Sequence, residues 1–298
     1  MVEIKNLSLF LGDKQILNNI NYEIKSKKII GLIGPNGVGK TSLIKSICGI
    51  YKPTSGSILY DGEDVYNSIN VKRQIGYVPD ENNFFNSYTI KAIIKYYKLA
   101  YEDFNENKFH HINKIFNIPI NKRYFQLSKG MKMRVNLMMA FSIEPKYLIL
   151  DEPTSGLDPI LKNKLLKLIV NEVCNRDVTV IISSHNLREL EMICDEVVII
   201  NEGEIVYSNS LENMKKKIRK IQVAFDAPVY EEDLKFNGIY KVSRTGRVFT
   251  IITEDYSEDF KNSLKKFNPL FMEEIDLNLE DMFIYRVGGE ADYEEFIQ

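Results

Sequence analysis

The sequence predicts an α/β fold in which a parallel sheet is covered on both faces by helices, followed by a smaller α+β module. Three observations carry this. From Lys28 to Ile200, short apolar runs alternate with stretches of helical spacing, the rhythm of strands joined by crossover helices. The runs ending at Ile33 and Leu150 are continuous rather than alternating, as expected of strands buried on both faces. Near Met214-Lys215-Lys216-Lys217 the rhythm changes, and strand-like segments dominate the remainder of the chain.

Val2–Phe10 and Ile20–Ile24 read as strands with a Gly12-Asp13 turn between them. Lys28–Ile33 reads as a buried strand that ends in glycine and feeds a loop. Thr41–Gly49 has helical spacing, with Leu43, Ile44 and Ile47 on one face. A turn over Pro53–Gly56 leads to a short strand, Ser57–Tyr60, which ends at Asp61-Gly62. Tyr88–Phe116 is mainly helical, because Ile90, Ile93, Ile94 and Tyr97, then Phe109, Ile112 and Phe116, recur three or four apart. Ser128–Phe141 is a further helix. Tyr147–Leu150 is a buried strand, followed by a turn rich in Pro and Gly and a helix over Pro159–Val173. Val178–Ser183 and Glu196–Ile200 are strands with a helix, Asn186–Ile193, between them. The basic run at Met214–Lys217 is a solvated helix face or a boundary. Beyond it, Ile218–Phe225, Tyr240–Ser243 and Val248–Thr253 read as strands, and Phe260–Phe267 and Leu279–Val287 as helices.

At 298 residues the chain is long for one compact domain and short for two. The division expected is a main domain over 1–214 and an accessory domain over 215–298. A net charge of -2 argues against a nucleic-acid wrapper. The three cysteines, Cys48, Cys174 and Cys194, lack metal-ligand or disulfide spacing, and are read as small buried apolar residues of a protein in a reducing cytoplasm. No signal peptide is expected at the N-terminus. The longest apolar stretches, such as Ile29–Ile33 and Val197–Ile200, fall far short of the ~20 residues of a membrane span. The chain is therefore expected to serve a membrane only through a partner.

Gly34-Pro35-Asn36-Gly37-Val38-Gly39-Lys40-Thr41 matches the pattern GxxxxGK[ST] between a strand and a helix. Glycines allow backbone conformations that other residues resist, and they turn successive N–H groups inward. Those donors and the positive end of the following helix cradle a polyphosphate. Lys40 is placed to reach the β- and γ-phosphates and the Thr41 hydroxyl to bind Mg²⁺. The apolar run Tyr147–Leu150 ends in Asp151-Glu152. In a parallel sheet, acids at such a strand end stand beside the phosphate loop. Asp151 then serves the Mg²⁺ shell and Glu152 polarises an attacking water. His185 follows another strand end, where the γ-phosphate is expected to lie, and is the second candidate catalytic residue, a structural histidine being the alternative. His110 and His111 lie in a polar-flanked helical stretch and read as surface residues.

These pieces, with Leu127-Ser128-Lys129-Gly130-Met131 and Ser155-Gly156-Leu157-Asp158, resemble the ABC ATPase family in five motifs and in their order, over roughly residues 1–210. Gly34–Thr41 is similar to the Walker A loop and Leu148–Glu152 to the Walker B strand. Ser128–Met131 is similar to the signature, Asp158 closes the D-loop, and Ser184-His185 is similar to the H-loop. The resemblance implies a P-loop NTPase core with an antiparallel β-subdomain and a helical subdomain near 84–142. It also implies ATP and Mg²⁺ as cofactors, and a head-to-tail dimer, with Ser128, Lys129 and Gly130 of one subunit meeting the ATP bound by the other. A transmembrane permease is the second partner implied, and the chain is expected at the cytoplasmic, inner face of the cell membrane.

This chain departs from the family pattern at three places. Lys129 and Met131 replace the usual glycine and glutamine, and Asp80, after Gly76-Tyr77-Val78-Pro79, stands where a glutamine is common. A carboxylate there can ligate Mg²⁺ but cannot donate a hydrogen bond as an amide does. Phe10 is the candidate to stack on adenine, with a buried strand position as the alternative. Phe84, Phe85 and Tyr88 either form a socket for a permease helix or pack within the helical subdomain. The Ser128–Met131 signature, the single ATPase domain and the tail Leu279–Gly289 look most like those of bacterial exporter subunits for drugs, antimicrobial peptides or related amphiphiles. A soluble ABC ATPase acting on ribosomes or DNA is the alternative, although it usually has two ATPase domains in one chain or long insertions. A P-loop kinase, the third reading, requires an acceptor lid but neither the signature nor the D-loop.

Overall fold

The computed structural model describes residues 1–82, 84–234 and 236–287. The chain forms two compact units, Met1–Ser208 and a second that begins at Asn209.

In the first unit, β1 (Val2–Leu11) and β2 (Lys14–Ile24) form an antiparallel hairpin across Gly12-Asp13. Then come β3 (Ile29–Ile33), α1 (Lys40–Ile47), β4 (Ser55–Tyr60) and β5 (Glu63–Asp64). α2 (Ile69–Arg73) and β6 (Ile75–Val78) lead to the helical segment: α3 (Ile90–Ala100), α4 (Glu106–Phe116) and α5 (Lys129–Ser142). The unit closes with β7 (Tyr147–Asp151), α6 (Pro159–Arg176), β8 (Thr179–Ser183), α7 (Leu187–Ile193), β9 (Glu196–Asn201) and β10 (Glu204–Ser210).

Two sheets organise this unit. One is antiparallel, in the order β2-β1-β4-β5; the other runs β10-β9-β3-β8-β7-β6. In the second, β3, β6, β7, β8 and β9 are paired in parallel. Every residue of β3, β7 and β8 is buried, which explains their unbroken apolar runs. One apolar cluster joins Leu7, Ile20 and Ile58 of the antiparallel sheet, Leu43, Ile44 and Ile47 of α1, and Leu32, Ile149 and Val198 of the parallel sheet. At ~1.5–3 kcal/mol per fully buried side chain, this cluster anchors α1, and with it the phosphate loop, between two layers.

Helix ends follow local chemistry. Thr89, Asn105, Ser128 and Asp158 each cap a helix by accepting a backbone N–H at its start. The reading of all three cysteines as buried needs correction: Cys48 and Cys194 are buried, but Cys174 is exposed, because it falls on the solvent side of α6, whose buried face is Leu165, Leu166 and Ile169.

The second unit contains α8 (Leu211–Lys217), β11 (Arg219–Phe225), β12 (Ile239–Thr245), β13 (Val248–Thr253), α9 (Glu258–Lys265), β14 (Pro269–Ile275) and α10 (Leu279–Val287). The strands form an antiparallel sheet in the order β12-β13-β11-β14. Ile221, Val223, Phe249 and Ile251 pack with Phe260 and Leu264 of α9. Met214 is buried and Lys215–Lys217 are exposed, so the basic run is a solvated helix face. The Gly288-Gly289 end of the tail read as exporter-like lies outside the described residues.

Candidate active site

Because the strands are parallel, the C-terminal ends of β3, β6, β7 and β8 share one edge of the sheet, and the chemistry-bearing residues gather there. The loop Gly34–Thr41 leaves β3 and ends in α1. Gly37 and Gly39 have φ of 79° and 108°, in the region open mainly to glycine. At Gly39 a side chain is also excluded by space, since a Cβ would stand 2.9 Å from Leu17 Cδ2. Gly34 lies so close to β9 that a Cβ would stand 2.3 Å from the Ile200 carbonyl oxygen. Lys40 donates from Nζ to the carbonyls of Gly34 at 2.5 Å and Pro35 at 2.7 Å. Burial lowers its pKa, opposed by the charges of Glu152 and Asp151. Val38 turns to the apolar cluster instead.

A cavity of about 310 Å³ opens over this loop. Asn36, Gly37, Gly39, Lys40 and Thr41 line it on one side, and Asp80, Asp151 and Glu152 on the other. Ile16 and Ser42 also line it, and the sequence reading missed both. Ser42 was findable as the second residue of the helix after the loop. Ile16 had no signal, because it arrives from β2.

Asp151 is 2% exposed and accepts a hydrogen bond from Ser183 Oγ at 2.7 Å. The same Ser183 oxygen accepts the Glu152 backbone N–H at 3.0 Å. Register places Ser183 opposite Asp151, so one hydroxyl of β8 orients both acids. Glu152 has φ of 49°, an uncommon left-handed conformation for such a residue, of the kind that clusters at functional sites. Its Oε2 lies 2.8 Å from His185 Nδ1. His185 is not among the residues lining the cavity; it meets the site through Glu152.

The signature segment lies outside this cavity, with Lys129 reaching Asp80 on its wall. Ser128 Oγ accepts the Met131 N–H at 3.3 Å as the cap of α5. A Cβ on Gly130 would stand 2.2 Å from the Gly156 carbonyl oxygen, so the glycine lets the D-loop and the start of α5 touch. Asp158 caps α6 by accepting the Leu161 N–H at 3.0 Å. None of Ser128, Lys129, Gly130 or Asp158 lines the cavity of its own chain.

A family model described as ABC transporter matches residues 17–155. The chain is 32% identical over 289 residues to the ABC transporter ATP-binding protein YtrB of Bacillus subtilis, covering 97% of this chain and 99% of that one. It is 30% identical to the bacitracin transport ATP-binding protein BcrA of Bacillus licheniformis, over 97% of this chain and 98% of the relative. The chain belongs to the ABC transporter ATP-binding family.

As an ABC ATPase it binds ATP and couples its hydrolysis to transport. The fold agrees: the structure of an ATP-binding subunit of an ABC transporter superposes with a TM-score of 0.67 at 27% identity, covering 72% of this chain and 92% of that one. A dimeric ATP-binding cassette bound to ADP and Pi, at 22% identity, shares the fold with a TM-score of 0.65 over 71% of this chain and 99% of that one. Relatives matched almost end to end are transporter subunits, which sets aside the soluble and kinase readings.

Phe10 is 43% exposed, so the buried-strand alternative fails, although Ile16 rather than Phe10 lines the cavity. Phe85 is buried, as packing within the helical subdomain expects, whereas Phe84 and Tyr88 are 71% and 53% exposed. Among the described residues, no three or more His, Cys, Asp or Glu groups gather as a metal site. The oxygens of Thr41, Asp80 and Asp151 at the cavity are a partial, all-oxygen set. Such a set fits Mg²⁺, which keeps waters and takes phosphate oxygens. Among the described residues no helix is long and apolar enough to cross a membrane.

Proposed function

We propose that this chain is the motor subunit of an exporter of drugs, antimicrobial peptides or related amphiphiles. It works as a homodimer on the cytoplasmic face of the cell membrane, bound to a transmembrane permease. The cargo reading is supported by BcrA and by the lantibiotic transport ATP-binding protein SrtF of Streptococcus pyogenes, which is 36% identical over 69% of this chain and 89% of its own length.

The observation that carries the mechanism is the pairing of Glu152 with His185 at the rim of the phosphate cavity. The loop N–H groups and Lys40 bind the triphosphate. Thr41 and Asp151, with Asp80 beside them, would hold Mg²⁺, which would supply charge neutralisation to the phosphates. Glu152 accepts a proton from the attacking water as general base, while Ser183 and His185 fix its backbone and carboxylate. Ser128, Lys129 and Gly130, outside their own chain's cavity, face the ATP of a second subunit, with the N-terminus of α5 directed at phosphate. Asp158 lies at that dimer surface, Phe10 stacks on adenine, and exposed Phe84 and Tyr88 receive a permease helix.

The test is ATP turnover against protein concentration, with size-exclusion chromatography of a Glu152→Gln variant in ATP and Mg²⁺. Turnover rising faster than linearly, and a dimer seen only with ATP, are expected. Linear turnover by a monomer would overturn the shared-site reading.

A further inference from the structure

The positions of two departures from the family pattern, Asp80 and Lys129, lie together in this fold. Lys129 Nζ stands 3.0 Å from Asp80 Oδ1. Asp80 follows β6 and Lys129 opens α5, so the pair ties the end of the parallel sheet to the start of the signature helix. Asp80 also forms the wall between two cavities. On one side lies the phosphate cavity with Lys40, Thr41, Asp151 and Glu152. On the other lies a cavity of about 200 Å³ lined by Glu81, Lys129, Lys132, Tyr124 and Asn136. One carboxylate is thus within reach of both the nucleotide site of its own chain and the signature lysine that belongs to the other site of a dimer.

We propose that Asp80 and Lys129 form an exchangeable tie by which loading of one nucleotide site frees the signature of the same chain for the other. This rests on the shared-site reading above. Both side chains are about half exposed, 52% for Lys129 and 42% for Asp80. Solvent reaches much of both side chains and screens the pair, so it exchanges readily for a stronger partner. Without nucleotide, the ammonium neutralises Asp80 and holds Lys129 against its own chain. With nucleotide and Mg²⁺ bound, Asp80 turns to the metal shell. Lys129 is then released from Asp80 and offers its charge to the triphosphate held by the partner subunit. Lys129 is in this sense a positioning residue for Asp80 in the free chain and a phosphate contact in the dimer. A glutamine and a glycine at these two positions cannot form such a tie, since neither carries charge.

The two roles give Lys129→Met effects of opposite sign, which a merely structural residue does not. In the Glu152→Gln background, affinity for a fluorescent ATP analogue is measured in Mg²⁺ and in EDTA, and ATP-driven dimerisation by sedimentation. For Lys129→Met, the Mg²⁺-to-EDTA affinity ratio of the monomer is expected to rise up to about fivefold, the equivalent of ~1 kcal/mol. Dimerisation is expected to weaken by at least a similar factor. Lys129→Arg keeps the charge and is expected to match the parent in both, and unchanged monomer elution shows that the variants fold. Asp80→Asn is expected to lower the Mg²⁺-to-EDTA ratio and to make it insensitive to Lys129→Met, while Thr41 and Asp151 retain part of the Mg²⁺ dependence. A Lys129→Met variant whose ratio stays the same or falls overturns the tie even if its dimer weakens. If the Glu152→Gln parent forms no ATP-driven dimer, the shared-site reading fails first and the tie with it.

Discussion

His185 Nδ1 lies 2.8 Å from Glu152 Oε2, and the His185 backbone N–H faces the same oxygen at 3.4 Å. Glu152 is thereby held from outside the cavity it serves. Replacing its carboxylate by an amide should slow turnover by ~10²- to 10⁴-fold, the range for a general base. His185→Ala should cost on the order of 10²-fold through loss of orientation. Nucleotide affinity should stay within about twofold for both, read by steady-state kinetics beside equilibrium binding.

Ser183 joins Asp151 to the Glu152 backbone. Ser183→Ala removes the donor to a buried carboxylate and the acceptor of a backbone N–H. A destabilisation of ~1–3 kcal/mol is expected from leaving such groups unsatisfied, measured by chemical denaturation. Nucleotide affinity in Mg²⁺ should fall more than affinity in EDTA, because Asp151 loses its orientation.

Gly130 has no room for a side chain against the Gly156 carbonyl. Gly130→Ala should destabilise the chain by ~1–3 kcal/mol, as overpacking does, seen as a lower melting temperature. Because the added methyl would push apart the signature and the D-loop, ATP-driven dimerisation should be lost as well.

Lys40 is buried, and its pKa is lowered from the ordinary lysine value. A lysine whose pKa is lower in the folded than in the unfolded chain costs stability below its folded pKa. That cost disappears as pH rises through the folded pKa toward the unfolded value near 10.4. Lys40→Met should therefore stabilise the nucleotide-free chain, with the advantage narrowing as pH rises toward that value. The same variant should weaken ATP binding by ~10- to 100-fold, the loss of a hydrogen bond from a charged donor.

Phe84 is exposed and stacks edge-on against Phe85, with ring centroids 4.9 Å apart. Phe84→Asp should leave ATP turnover of the isolated chain within about twofold. Co-purification with the permease should fall sharply, by the ~2 kcal/mol or more of an aromatic anchor.

Residues that act as neighbours in the chain were legible in advance. The loop Gly34–Thr41, the acids Asp151-Glu152 and the continuous runs of β3 and β7 all declare themselves within a few positions. Shorter or more polar strands did not: β6, with Gly76 and Tyr77, and β10, with Asn209 and Ser210, have no clear apolar period and form because neighbouring strands supply their hydrogen bonds. Ile16, Ser183 and the exposed side of α6 bearing Cys174 were equally silent, since each owes its setting to an element distant in sequence.

The sequence alone determined the family, the phosphate-binding loop and the acids beside it, because a turn that wraps phosphate and a strand that ends in carboxylates are built from consecutive residues. Tertiary structure decided which side chains hold those acids and which charges meet. Parallel pairing of β7 with β8 brings Ser183 to Asp151, the turn after β8 brings His185 to Glu152, and the approach of α5 to the end of β6 brings Lys129 to Asp80. Such pairings depend on strand register and helix packing, which are set by burial over the whole unit and leave no local trace in the chain.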